Sequence, residues 1–232
     1  MDEGKIEELT RLQDRINYFF KNSELLNCAL THRSFVNEAN GVENEKLEFL
    51  GDAIIGMLVS EHLYTRFPEY DEGRLSSIKS AIVSKPTLAG KAAEIQLGEY
   101  LLLGKGEDGS GGRKRPSILA DAFEAFVAAI YLDSNIEQCR TFVIEQLGEE
   151  IEKVISNGFG RDCKGMLQEY AQSEYGFIPD YQVVSTEGPE HRKCFEVTVS
   201  LKGVVCGRGT GRSKKAAEKS AAQDAWAYIC RH

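Results

Sequence analysis

No run of about eighteen consecutive apolar residues occurs in this 232-residue chain, so the sequence predicts no membrane-spanning helix and no membrane partner. The N-terminus, Met-Asp-Glu-Gly-Lys-Ile-Glu-Glu-Leu, is acidic and has no apolar stretch of the kind a secretory signal needs. The six cysteines (Cys28, Cys139, Cys163, Cys194, Cys206 and Cys230) are scattered, with no C-x-x-C. That pattern argues for free thiols in a reducing cytoplasm and against structural zinc. The four histidines are equally dispersed; H-E-x-x-H and a nucleotide-binding P-loop are both missing. Long alternating β-branched runs are absent from the first 156 residues, which leaves no basis for a sheet there.

Acids in apolar company are what the sequence does have. Glu45, Glu48 and Asp52 are spaced i, i+3, i+7, which on a helix puts three carboxylates on one face. Glu45 and Asp52 would then lie roughly 10 Å apart along the axis. Leu47, Phe49, Leu50, Ile54 and Met57 are the candidate buried surface of that helix. A second pair, Asp121 and Glu124, sits at i, i+3 within the apolar helix expected over Ser117–Leu132. Either pair alone fits an ordinary solvated face. The flanks, Leu-Glu-Phe-Leu-Gly-Asp-Ala-Ile-Ile and Leu-Ala-Asp-Ala-Phe-Glu-Ala-Phe-Val, argue against that. Packed side by side, the two helices would gather four carboxylates. Such crowding raises carboxyl pKa values and is relieved by a divalent cation with oxygen ligands, Mg²⁺ above all.

The net charge of −8 hides an asymmetry. Residues 1–160 carry 17 basic and 27 acidic side chains, whereas residues 161–232 carry 11 and 9. Between Lys202 and Lys219 there are six basic residues and one acid, Glu218. A polyanion would be gripped there.

Apolar spacing of 3–4 predicts helices over Ile6–Phe20, Leu47–Tyr64, Leu75–Val83, Pro86–Leu97, Ile118–Leu132 and Ile136–Ile155. Gly104–Gly112, followed by Arg113-Lys-Arg115, reads either as a disordered connector or as an adaptable basic loop meeting a phosphate backbone. Asn44 is a candidate helix cap. Two glycines within 157–162 mark a linker. Beyond it come a helix over Lys164–Tyr175, strands over Tyr181–Glu187, Lys193–Leu201 and Val204–Gly209, and a last helix to about Ile229 with Ser213 as N-cap. The expected architecture is multidomain. An all-α domain spans residues 1–156, and a small α+β domain of order α-β-β-β-α spans 163–232.

At these residues the sequence resembles a known family. Asn44-Glu-Lys-Leu-Glu-Phe-Leu-Gly-Asp52 is similar to the signature of ribonuclease III, the double-stranded-RNA endonuclease. Thr31-His-Arg-Ser34, Arg66-Phe-Pro, Asp71-Glu-Gly and Ser117-Ile-Leu-Ala-Asp-Ala-Phe-Glu-Ala125 extend the likeness. From about Cys163 onward the chain resembles a double-stranded-RNA-binding domain.

The resemblance implies metal binding by Glu48, Asp121 and Glu124, with Asp52 and Glu124 at the hydrolytic centre and Mg²⁺, or Mn²⁺ in its place, as cofactor. It implies that Glu45 and Glu72 line a cleavage valley, and that Gln168 and His191 enter minor grooves while Lys214, Lys215 and Lys219 meet phosphates. For His191 an ordinary loop position is an equal alternative, and for the lysines a solvated face. Cutting both strands calls for two centres, hence a C₂ homodimer. Phe49 would insert into a pocket of the partner subunit; periodicity alone would make it a core aromatic. The implied activity is Mg²⁺-assisted hydrolysis of double-stranded RNA, leaving 5′-phosphates, 3′-hydroxyls and short 3′ overhangs in ribosomal and messenger precursors. The competing class is a double-stranded-RNA-binding protein that does not cut, and the presence of all four acids speaks against it.

Overall fold

The computed structural model describes residues 3–39, 41–156, 163–189 and 193–229. The expected linker at 157–162, His191 and Cys230 lie outside them. The chain divides into two compact units, Met1–Gly160 and Arg161–His232.

The first unit is helical: α1 (Glu3–Ile16), α2 (Ser23–Ala29), α3 (Arg33–Val36), α4 (Glu45–Arg66), α5 (Glu72–Ile82), α6 (Lys85–Glu94), α7 (Leu97–Tyr100), α8 (Lys105–Gly109), a 3₁₀ turn at Gly112–Lys114, α9 (Pro116–Asp133) and α10 (Ile136–Ser156). Local chemistry explains most of the boundaries. Asn17 takes a left-handed conformation (φ 52°) and ends α1 at Ile16, four residues before the predicted stop. Gln96, at φ 57°, likewise separates α6 from α7. Asp71 caps α5 by accepting from Arg74 N at 2.7 Å, and Pro116 opens α9 in the first turn, where no N–H is missed.

Helix α9 is apolar on nearly all sides and forms the centre of the core. Ile118–Ala120 and Ala122–Ile130 are all buried. Helices α2, α4, α6 and α10 pack around it. Where α4 crosses α9, a Cβ on Gly51 would sit 1.8 Å from the Glu124 carbonyl oxygen, so only glycine allows the two backbones to meet.

Several expectations for this unit need correction. Phe49 is 81% exposed and Met57 half exposed; the buried face of α4 is Leu47, Gly51, Ile54, Ile55, Leu58, Val59 and Leu63. Asn44 makes no side-chain cap. It is buried, and its Nδ2 donates to the Ala29 carbonyl at 3.2 Å, pinning the start of α4 to the end of α2. The glycine-rich stretch is not a free loop. It contains α8 and the 3₁₀ turn, and Arg113 is spent internally, donating to the carbonyls of Gly98, Glu99 and Leu101 and to Asp108.

The second unit follows the predicted order: α11 (Cys163–Tyr175), β1 (Asp180–Glu187), β2 (Cys194–Leu201), β3 (Val204–Gly211) and α12 (Lys214–Ile229). The sheet is antiparallel in the order β1-β2-β3. Lys202 and Gly203, both at positive φ, form the two-residue turn between β2 and β3. Helix α12 lies on β2 and β3, with Ala217, Ala221, Ala222 and Ala225 buried. Gly207, Gly209 and Gly211 face it from alternate positions of β3, where any Cβ would come within 2.1–2.5 Å of the helix backbone.

Candidate active site

The Gly51 crossing decides where the acids meet. Because α4 touches α9 at Glu124 itself, Glu48 and Asp52, on the turns before and after Gly51, flank the buried carboxylate of Glu124. Ligand oxygens of Glu48, Asp121 and Glu124 all lie within 4.8 Å of one another. Asp52 and Glu45 line the same open cleft of about 850 Å³, the more exposed pair along its rim.

Electrostatics report the crowding. Glu124 is only 6% exposed. Burial, and then the charges of Asp52, Glu48 and Asp121, push its pKa up to about 7. Burial also raises Glu48, with Asp121 the next cause. The cluster offers oxygen ligands alone, no thiolate or imidazole, and Lys85 offsets part of its negative charge, directly at Asp121 and at longer range at Glu48 and Glu124. That donor set fits a hard divalent cation.

Three features of the cleft were not singled out in the sequence. Gly51 is one. The second is Lys85, the first residue of α6, whose Nζ donates to Asp121 Oδ1 at 2.8 Å. The third is a set of rim pairs, Arg33 with Glu45 and Arg115 with Glu107. The sequence does not show these contacts, since helical period and composition give no pairing between separate elements. Ser34, within the Thr31-His-Arg-Ser34 segment, orients the edge of the cleft: Gly104 N donates to its Oγ at 2.9 Å, and its own N donates to His32 Nδ1 at 3.2 Å.

Two of the other expected site residues stand apart from the cluster. Glu72, at the start of α5, is exposed, accepts from Ser76 Oγ at 2.7 Å, and lines a different depression with Ser60, Tyr64 and Tyr70. Phe49 lines the acid cleft yet projects into solvent from α4.

In the second unit, Ser213 Oγ accepts from Ala216 N at 3.2 Å and caps α12 as expected. Lys214, Lys215 and Lys219 are exposed on its first turns. Glu218, the one acid in that run, is taken by Lys164 of α11 at 2.7 Å. Among the described residues, the three lysines have no ion pair and stand beside a positive helix end. Gln168 is exposed on α11, in a shallow depression with Gly165, Glu169, Gln172 and Ser173.

Comparison with known proteins bears on both units. Residues 22–151 match the family described as Ribonuclease-III-like, and residues 163–229 match the double-stranded RNA binding motif. Ribonuclease 3 of Bacillus licheniformis is 44% identical, over 100% of this chain and 94% of its own length. Ribonuclease 3 of Pelotomaculum thermopropionicum is 46% identical, over 94% of this chain and 92% of its own. The solved nuclease domain of ribonuclease III from Campylobacter jejuni is 37% identical with a TM-score of 0.57, covering 61% of this chain and 94% of that one. A second structure of that domain, also 37% identical with a TM-score of 0.57, covers 60% of this chain and 95% of that one; it shows flexibility in a region involved in dimer formation. With a matching nuclease domain, a matching RNA-binding domain and relatives aligned from end to end, this chain belongs to the ribonuclease III family.

Proposed function

We propose that the chain is an endoribonuclease that hydrolyses double-stranded RNA at the α4–α9 cleft, with Glu48, Asp121 and Glu124 holding Mg²⁺, or Mn²⁺ in its place. The observation that carries this reading is the convergence of three carboxylates within 4.8 Å in a chain of this family. When bound, the cation supplies a water of lowered pKa and neutralises charge on the phosphodiester. The protein's part is positional. The Glu124 backbone is held against Gly51 and its side chain is buried, which keeps its carboxylate at the cluster. Asp52, exposed one turn beyond Glu48, would accept a hydrogen bond from the attacking water and orient it. Water attack at phosphorus leaves a 5′-phosphate and a 3′-hydroxyl, and two centres offset across a duplex leave short 3′ overhangs.

A homodimer fits the surface of α4. Phe49, Met57 and Tyr64 are exposed along one side of it, an arrangement costly to leave in water. A two-fold axis through this stripe would supply the second centre, with Phe49 seated in the partner. Glu72 and Tyr64 line one depression beside the stripe, so such a dimer would carry Glu72 toward the shared valley along with Glu45. The second domain would grip the duplex by shape, Gln168 at a minor groove and Lys214, Lys215 and Lys219 at phosphates. Structured precursors of ribosomal and messenger RNA are the proposed substrates, and the cytoplasm is the expected compartment. Among the described residues, no helix is long and apolar enough to cross a membrane.

The test is cleavage of a long RNA duplex with and without Mg²⁺, by the wild type and by Glu124→Gln. The amide preserves shape and removes the charge that holds the cation. Cutting should fall by at least about a thousandfold while gel-shift affinity stays within about twofold. Near-wild-type cutting by the variant at low Mg²⁺ would sink the metal assignment.

A further inference from the structure

Three cationic side chains border the acid cleft, but only one of them touches the cluster that would hold the cation. Arg33 and Arg115 are paired with Glu45 and Glu107, acids outside the three-carboxylate group. Lys85 instead holds Oδ1 of Asp121, at 2.8 Å. We infer that Lys85 is the resident counter-cation of the centre: it occupies Asp121 until a divalent cation claims that carboxylate, and thereby sets the cation concentration at which the centre fills.

The chemistry of the pairing suits an exchangeable occupant. Lysine meets the carboxylate as a point charge, without the two-pronged fork that arginine would use. Its side chain is 62% exposed, so the ammonium can swing into water when displaced. Its backbone is anchored, because Lys85 opens α6 and α6 packs directly on α9. The ammonium therefore stays tethered beside the site it has left. Asp121 is only 28% exposed and faces Glu48 and Glu124. Without a positive partner, these carboxylates would repel one another at close range. Lys85 offsets part of that repulsion in the empty state, and the same charge opposes entry of a second cation.

This inference rests on the reading of Glu48, Asp121 and Glu124 as the cation ligands, and the experiment separates the two. Mn²⁺ binding to the full-length chain is measured by titration calorimetry without RNA, and Mg²⁺ binding by competition against Mn²⁺. Lys85→Met keeps the stem and removes the charge; it should bind both ions about three- to tenfold more tightly. Lys85→Arg, which keeps the charge and adds the fork, should bind them no more tightly than the wild type. Thermal midpoints give the second readout. Lys85→Met should be less stable than the wild type in chelator and equal to it in saturating Mg²⁺. A lysine that merely supported α6 would instead lower both midpoints equally. Unchanged affinity in Lys85→Met, alongside abolished binding in Glu124→Gln, overturns the role of Lys85 and leaves the ligand reading intact. Wild-type binding in Glu124→Gln overturns the ligand reading, and this inference with it.

Discussion

In the first unit a single glycine, Gly51, lets two helices touch backbone to backbone. In the second, three glycines on β3 do the same along most of a helix. The device is shared but the consequences are opposite. At the α4–α9 crossing, closeness forces carboxylates together, and the crossing is itself the proposed active site. Where α12 meets β3 backbone to backbone, the close contacts are alanines against glycines, and the three lysines lie on the exposed first turns instead. One unit builds its chemistry at the point of tightest packing, where charge is least tolerated. The other uses tight packing to hold a helix still and keeps its charges in water. Residues 1–160 carry a net −10 and residues 161–232 a net +2, so the halves also divide the tasks of cutting a polyanion and attracting it.

The sharpest way to break the comparison is to put a methyl group into each of these close approaches. Gly51→Ala should open the crossing, cost at least about 3 kcal/mol and abolish cutting. Gly209→Ala should do equal damage to the second unit and remove RNA affinity at physiological salt. The only tryptophan, Trp226, belongs to the second core, so its fluorescence reports that unit alone. It should be unchanged in Gly51→Ala and altered in Gly209→Ala; a shared response would show that the two cores are not independent.

Separation of the halves comes next in size. Fragment 1–156 should remain folded and dimeric yet bind duplex RNA at least about tenfold more weakly than the full chain at about 150 mM salt. It should regain some cutting at low salt. Equal efficiency of fragment and full chain at physiological salt would contradict the division of labour.

A smaller effect tests the basic helix. Lys214→Ala combined with Lys215→Ala should reduce the slope of log affinity against log salt by about 0.7–1 for each phosphate no longer held. Cleavage positions should not change, because groups that grip phosphates carry little sequence information. An unchanged slope would return these lysines to the status of a solvated face.

The last prediction concerns pH. The Glu124 carboxyl ionises near 4.5 in the unfolded chain and at about 7 in the folded one. Below 4.5 it is neutral in both states. Between 4.5 and 7 the unfolded chain releases the proton and the folded chain keeps it, so stability falls as pH rises through that window. In chelator, the wild type should therefore lose thermal midpoint relative to Glu124→Gln between about pH 5 and pH 8. Saturating Mg²⁺ should remove the loss in the wild type. A constant difference between the two proteins would show that Glu124 is not crowded as described.

The acids were legible in the sequence because helical period alone puts Glu45, Glu48 and Asp52 on one face, and because apolar neighbours marked them as unusual. The second unit was legible for a similar reason: short strands, a Lys202-Gly203 turn and a serine cap are all local signals. What failed was local reading of residues whose role is set by distant partners. Phe49 and Met57 look like core by composition, yet α9 approaches α4 from the side of Gly51 and leaves them outside. Asn44 has the chemistry of a cap, but the Ala29 carbonyl lies within reach and takes its amide instead. Gly104–Gly112 looks unstructured because nothing in its composition shows that Arg113 reaches back to the carbonyls of Gly98, Glu99 and Leu101.

The Gly51–Glu124 crossing also has a consequence for the protein's synthesis. Its two sides are roughly seventy positions apart in the chain. Helix α4 leaves the ribosome first, carrying Glu48 and Asp52 but neither Asp121 nor Glu124. A nascent chain that has not reached α9 owns one of the three proposed ligands, Glu48, and an apolar face that α9 has yet to cover. Hydrolytic competence thus arrives through one late tertiary encounter. Until α9 docks, the proposed ligand set is incomplete, and the nascent chain should not cut structured RNA.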